Sequence, residues 1–271
     1  MTERAVILAR GLGTRMRRAD PGAALDPAQK ALADAGMKAL IPVGSGRPFL
    51  EFVLDTLANA GLTRICLVVA PDHELLRRRY REELSLERIT IDFAVQAEPR
   101  GTADAVLAAE AWTAGEPFVV LNSDNDYPVS ALRALASLDT PGVIAFGREG
   151  LLSTGQIPAE RIAAFALLDL DGDRLVRIVE KPDAATVAAM GPGARVSMNC
   201  WRFDARVFDP CRRMPLSPRG EYELPQAVQL ALREGLFDVT AVLSDEPVLD
   251  LSRRADVSVV ARLLEGRSVR L

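Results

Sequence analysis

Short β-prone runs, several of them wholly apolar, recur along the first half of this chain, and most give way to a segment with helical spacing. Ala5-Val6-Ile7-Leu8-Ala9 opens the series, and residues 65–70, 90–96, 118–122 and 143–146 continue it. A run of this kind bounded by glycine or polar turn residues reads as a strand buried on both faces, as in a parallel sheet covered by helices. Between the runs, Phe49, Phe52, Val53, Leu57 and Ala60 fall near one helical face that Gly61 closes. Further helices are expected over about 72–84, with Asp72 as cap, and over 102–112 and 128–138. Strands alternating with helices predict an α/β fold with a mostly parallel sheet. Residues 17–37, rich in Ala, Asp, Arg and Gly and carrying Pro21 and Pro27, read as a long flexible loop with room for a helical turn.

The second half changes character. Residues 165–169 and 175–179 flank Asp171-Gly172-Asp173, which predicts an antiparallel hairpin. A strand over 196–203, a helix through Leu224, Ala227, Val228, Ala231 and Leu232 ended by Gly235, a strand over 237–243 and a helix over 255–265 follow. No internal repeat, low-complexity tract or linker interrupts the 271 residues. A single domain over 1–271 is therefore expected, with halves of about 1–145 and 146–271, and with no C-terminal β-helix. A chain this long buries a core without disulfide or metal staples.

Charge and residue usage exclude several function classes. Lys and Arg number 33 against 37 Asp and Glu, a net −4, which disfavours non-specific nucleic-acid binding. Cys66, Cys200 and Cys211 are odd in number and form no CxxC pair, which argues against a disulfide framework or zinc cluster and fits a reducing cytoplasm. His73 is the single histidine and is expected at the surface, so a Ser-His-Asp triad or His-rich metal site is disfavoured. Arg77-Arg78-Arg79 reads as a solvated helix face. No apolar run is long enough for a membrane span, and the N-terminus does not read as a signal peptide. A cytoplasmic protein with no membrane or nucleic-acid partner is expected; the sequence leaves its oligomeric state open.

The chemistry-bearing motif is Gly11-Leu12-Gly13-Thr14-Arg15, directly behind the first strand. Glycines let backbone N–H groups approach an anion, and Arg offers a fork of donors to phosphate oxygens. The loop is neither the GxGxxG of a dinucleotide site nor a Walker loop. Leu8-Ala9-Arg10-Gly11-Leu12-Gly13-Thr14-Arg15-Met16 resembles the signature loop of the sugar-1-phosphate nucleotidyltransferases. Met37-Lys38-Ala39-Leu40-Ile41-Pro42, Gln96 through Ala105, Leu121-Asn122-Ser123-Asp124, Glu180-Lys181-Pro182, Asn199, Gly220 through Leu224, and Asp250 resemble further segments of that family, in family order over about residues 4–260. The resemblance implies a Rossmann-like, GT-A-like mixed sheet flanked by helices, with a small antiparallel sugar-side region.

It also implies a reaction in which a sugar 1-phosphate attacks the α-phosphorus of an NTP and pyrophosphate leaves. The nucleophile arrives with the substrate, so the protein needs cations and Mg²⁺ rather than a nucleophile–base pair. The implied roles follow the matches. Leu8, Gly11, Gly13 and Thr14 form the nucleotide loop. Arg15 holds the triphosphate, and Lys38 contacts phosphate near the reacting phosphorus. Gln96, Gly101 and Thr102 read the base, with Gln96 both donating and accepting. Lys181 takes the sugar phosphate; Glu180, Asn199, Glu221 and Glu223 take sugar hydroxyls. Asp124 and Asp250 bind Mg²⁺, with Asp126 as an assisting ligand. UTP or dTTP is favoured, GTP next. The substitutions Arg10, Met37 and Ser123 depart from the family's usual Gly, Pro and Gly. The alternatives are a cytidylyltransferase for a non-sugar phosphate, a catalytically inactive regulatory relative, and a nicotinamide-dependent dehydrogenase.

Overall fold

A computed structural model describes residues 1–163, 165–180, 182–191 and 193–271. Among them, nine strands form one twisted sheet. From one edge the order is Thr90–Val95, Arg64–Val69, Arg4–Leu8, Phe118–Asn122, Arg195–Phe203, Gly142–Phe146, Thr240–Ser244, Arg174–Val179 and Ala166–Asp171. The first four run parallel, with Ala5 opposite Ile65 on one side and Val119 on the other. Arg195–Phe203 turns the sheet antiparallel on both of its sides. Its N-terminal half also pairs with Ala166–Asp171, so the last five strands close into a ring. The mixed sheet expected from sequence is present, with its parallel part in the first half and a single parallel pair, Thr240–Ser244 with Gly142–Phe146, inside the ring.

Strand alternation divides the core into two layers. Ala5 and Ile7 face a cluster with Phe49, Phe52, Leu54, Leu132 and Val260. Val6 faces the opposite cluster with Val106, Phe118, Trp201, Phe203 and Val228. The helices Phe49–Ala60, Val129–Ser137 and Arg254–Leu263 cover the first face; Thr102–Ala108 and Leu224–Glu234 cover the second. Trp201 is wholly buried and stacks on Phe203 at 5.8 Å.

Several expectations are corrected. Residues 17–37 hold more than a helical turn: Pro27–Asp34 is a helix of eight residues. Asp26 accepts from the Gln29 amide at 2.8 Å while Gln29 accepts from the Asp26 amide, and Pro27 sits in the first turn. The helix over 72–84 is a short helix, Glu74–Arg78, run into a π-turn, Arg79–Glu83, and Asp72 makes no side-chain cap. Arg79 is not merely solvated, since it donates to the wholly buried Glu51 carboxylate at 2.5 and 2.7 Å. The helix over 102–112 breaks into Thr102–Ala108 and Glu110–Thr113. No helix among the described residues is long and apolar enough to cross a membrane.

His73 is half-buried rather than a surface residue, and its Nδ1 has no partner among the described residues. Burial first, then Arg10 and Arg77, hold its pKa below the ordinary 6.5 against the pull of Asp72. Because the folded pKa is depressed, the unfolded chain takes up this proton first. The stability His73 contributes is present above about pH 6.5 and is lost as pH falls through the folded value. As the single histidine, its ring signals are directly assignable, and an NMR titration of the folded protein is expected to give a midpoint below 6.5. A midpoint at or above that value contradicts this packing.

Candidate active site

The carboxyl ends of Arg4–Leu8 and Phe118–Asn122 open into a two-lobed cleft, where open α/β sheets place their ligands. The lobes share Thr102, Asn122, Asp124 and Glu221. One lobe, of about 340 Å³, is lined by Leu8, Arg10, Gly11, Leu12, Thr14, Lys38, Gln96 and Gly101 as well. The other, of about 310 Å³, is lined by Arg15, Glu180, Asn199, Arg219, Glu223, Asp250 and Ser252 as well.

At their junction Lys38 donates to Asp124, a part-buried ion pair between a short 3₁₀ turn and the end of a central strand. Asp250 stands beside it, 3% exposed. Burial first, then the negative charge of Asp124, raises the Asp250 pKa above the ordinary carboxylate value. Arg161 opposes this, donating to Asp250 at 2.8 Å and to Asp256 at 2.8 and 3.1 Å. Ser252 donates to Asp250 at 2.6 Å, and Gln156 clamps the Asp250 backbone through two hydrogen bonds at 2.9 and 2.7 Å.

A chain of amides ties Asn199, in the lobe lined by Arg15 and Glu180, to this carboxylate. Asn199 donates to Asn122 at 2.9 Å, Asn122 to Asn125 at 3.2 Å, and Asn125 to Asp250 at 3.3 Å. Asn199 reaches the cleft because the strand Arg195–Phe203 shifts register between Ser197 and Trp201, leaving Asn199 at φ +60°. A bulge of this kind re-aims one side chain, and Asn tolerates the left-handed region better than most residues. The Trp201 indole donates to the Asn199 amide oxygen at 2.9 Å, fixing which way the amide faces.

The segment 96–103, expected from sequence to read the base, is stitched to the segment 220–224. Gly101 has φ +115°, and a Cβ there would meet the Tyr222 carbonyl oxygen at 2.4 Å, so only glycine lets the two backbones come together. Tyr222 exchanges backbone hydrogen bonds with Arg100 and Ala103, and the Thr102 hydroxyl accepts from the Leu224 amide at 2.8 Å. The expected dual role of Gln96 is corrected. Its amide nitrogen donates to the Gly101 carbonyl at 3.0 Å and to Asp104 at 2.7 Å, which consumes both hydrogens and leaves Oε1 as the acceptor it can offer.

Of the residues predicted from sequence, Leu8, Gly11, Thr14, Arg15, Lys38, Gln96, Gly101, Thr102, Asp124, Glu180, Asn199, Glu221, Glu223 and Asp250 line the cleft. Arg15, expected to hold the triphosphate beside Gly11, is corrected: it lines the lobe of Glu180 and Asn199 and not the lobe of Gly11, Thr14 and Lys38. Gly13 does not line it; its φ of +60° and the 2.4 Å approach of an added Cβ to the Gly36 carbonyl give it a backbone role. Asp126 is corrected as an assisting ligand. One residue past Asn125 it faces the opposite way, and Thr56 at 2.6 Å and Arg267 at 2.5 Å hold its buried carboxylate. Lys181 lies outside the described residues. Arg219, Asn125, Ser252 and Arg161 were not singled out from sequence. Arg219 donates to Glu223 at 2.6 Å across one helical-type spacing, a signal visible only once both were known to face the cleft.

The family model described as Nucleotidyl transferase matches residues 4–251. The chain belongs to this family. It is 27% identical over 99% of its length to the glucose-1-phosphate thymidylyltransferase of an Actinoplanes species, spanning 81% of that protein. It is 26% identical over 85% of its length to the UTP–glucose-1-phosphate uridylyltransferase AglF of Haloferax volcanii, spanning 84% of that protein. It is 30% identical over 98% of its length to the bifunctional protein GlmU of Azorhizobium caulinodans, and spans 55% of that longer chain. A crystal structure of UDP-glucose pyrophosphorylase complexed with UDP-glucose superposes with a TM-score of 0.75 over 97% of this chain and 98% of that one, at 16% identity. At that identity the likeness speaks for the fold. As a nucleotidyl transferase of this family, the chain is an enzyme, and its cleft is lined by Lys38, Arg15 and Arg219 together with Asp124 and Asp250.

Proposed function

We propose that this chain transfers a nucleotidyl group from UTP or dTTP, with GTP next, to a sugar 1-phosphate and releases pyrophosphate, in the cytoplasm. The observation that carries the reading is the Lys38–Asp124 pair at the junction of the two lobes, with Asp250 beside it. One lobe then takes the nucleotide and the other the sugar phosphate, so the reacting atoms meet at the shared wall. Relatives named thymidylyltransferase and uridylyltransferase support the substrate class.

The donor set fits Mg²⁺. Asp124 and Asp250 are hard oxygen donors, and burial first, then the charge of Asp124, raises the Asp250 pKa. Among the described residues no cluster of three or more His, Cys, Asp or Glu could hold a metal ion by itself. Mg²⁺ commonly keeps one or two carboxylates and completes its shell with water and substrate phosphate. When bound there it would neutralise charge on the phosphates and orient the α-phosphoryl group.

The remaining work falls to side chains. Lys38 offers its ammonium to a phosphate oxygen once a cation shares Asp124. Arg15 and Arg219 supply positive charge to the sugar-side lobe, where a sugar phosphate must sit. Glu180, Asn199, Glu221 and Glu223 offer acceptors and donors to hydroxyls. Lys181 takes the sugar phosphate in this reading. Gln96, restricted to its oxygen, accepts from a base N–H, which suits the N3–H of uracil or thymine and the N1–H of guanine.

The test is pyrophosphate release from each NTP crossed with a panel of sugar 1-phosphates, with Mg²⁺ and with EDTA. Turnover is expected with UTP or dTTP and a hexose 1-phosphate, and EDTA is expected to abolish it. Turnover indifferent to EDTA contradicts the metal assignment. Silence across the panel contradicts the activity.

A further inference from the structure

We propose that Arg10 binds the β- and γ-phosphates of the incoming NTP, and hence the departing pyrophosphate, as an additional cation of the nucleotide-side lobe. The proposal rests on the nucleotidyl-transfer reading above. Arg10 lies in the loop directly behind the first strand, between Ala9 and Gly11.

Arg10 lines the nucleotide-side lobe together with Gly11, Thr14 and Lys38. Its Nε is buried and has no hydrogen-bond partner among the described residues. A buried guanidinium N–H is costly to leave unpaired, so a partner that arrives with a ligand accounts for its retention. Lys38, the other described cation of this lobe, is committed to Asp124, and Arg219 across the junction to Glu223. Arg10 is therefore the lobe's described cation that has no carboxylate to leave before it meets an anion.

Its position relative to the reacting atoms follows from its neighbours. Gly11 and Lys38, which line the lobe with Arg10, also line a small recess with His73 and Ser123. The base belongs with Gln96 and the α-phosphoryl group with Lys38 and Asp124. The phosphates beyond the α-position remain, and they carry the charge that a planar fork of N–H donors engages through two oxygens at once.

The experiment compares wild type with Arg10→Ala, Arg10→Gly and Arg10→Lys in both reaction directions. Arg10→Ala and Arg10→Gly are expected to raise KM for UTP, and KM for pyrophosphate in the reverse direction, by about 10- to 100-fold. KM for the sugar 1-phosphate and for the UDP-sugar is expected to stay put. Equilibrium binding of UMP is expected to be unchanged while UTP binding weakens, and Arg10→Lys is expected to recover part of the loss. A merely structural role would lower UMP and UTP affinity together, or lower Tm without the KM split, and either outcome overturns the proposal. Unchanged KM for UTP and pyrophosphate in an active enzyme overturns it alone. A wild-type enzyme that neither binds UTP nor forms pyrophosphate overturns the functional reading as well.

Discussion

Asp124→Asn is expected to lower kcat by about 100- to 1,000-fold, the range for removing one preorganised charge or donor at a reacting centre. The carboxylate lies where both lobes meet and is paired with Lys38. Asparagine keeps the shape but can neither hold a cation through an anionic oxygen nor balance the ammonium. Asp124 is part-exposed, with 13% of its side chain accessible, so the variant should stay folded by circular dichroism. Lys38→Ala is expected to lose activity in the same direction. Because the two side chains touch, the double variant should cost less than the sum of the singles. Wild-type turnover from Asp124→Asn contradicts the assignment of the junction as the reacting centre.

Arg161→Met carries the second large effect, on stability. Arg161 is buried and bridges Asp250 and Asp256, which are 3% and 4% exposed. Removing the shared cation leaves two carboxylates in a low-dielectric site, and breaking a buried pair in this way costs about 3–5 kcal/mol. For a chain of this size that corresponds to a Tm lower by roughly 6–20 °C. Asp256 keeps the backbone amides of Ser252 and Arg253, at 3.0 and 2.7 Å, so most of the loss falls on Asp250. Denaturant unfolding of the variant measures it directly. A loss below about 1 kcal/mol means the network is less buried than described. Arg161→Lys should recover only part, since one ammonium cannot fork between two carboxylates.

The parallel half of the fold was legible because three of its four strands, Arg4–Leu8, Arg64–Val69 and Phe118–Asn122, are apolar on both faces. Ala5 and Ile7 point into one core layer and Val6 into the other, so no polar alternation masks the run. The helix Pro27–Asp34 extends well beyond the single turn expected within 17–37: Asp26-Pro27-Ala28-Gln29 spells a capping box, but the flanking Ala, Asp and Gly residues point to a loop. The ring closure between Arg195–Phe203 and Ala166–Asp171 leaves no local mark, since pairing between segments 30 residues apart is set by packing.

The same division runs through the cleft. Lys38, Asp124 and Gln96 stand in short local motifs that the sequence itself displays. Asn125 and Arg161 do not, as their roles depend on contacts 125 and 89 residues away in sequence. Asp126 shows the limit of reading by proximity: two positions from Asp124, it serves Arg267 and Thr56 on the far side of its strand. Gln96 shows a second limit, since residue type alone cannot tell which of its polar atoms the protein has already used.

The central claim is direct transfer from an NTP to a sugar 1-phosphate with no protein-bound intermediate. It is tested by following UTP labelled at the α-phosphate, with Mg²⁺, in the presence and absence of glucose 1-phosphate. The prediction is label in a sugar nucleotide only when both substrates are present, with none on the protein. Label that attaches to the protein, emerges as UMP, or stays in UTP across every sugar 1-phosphate offered would contradict it.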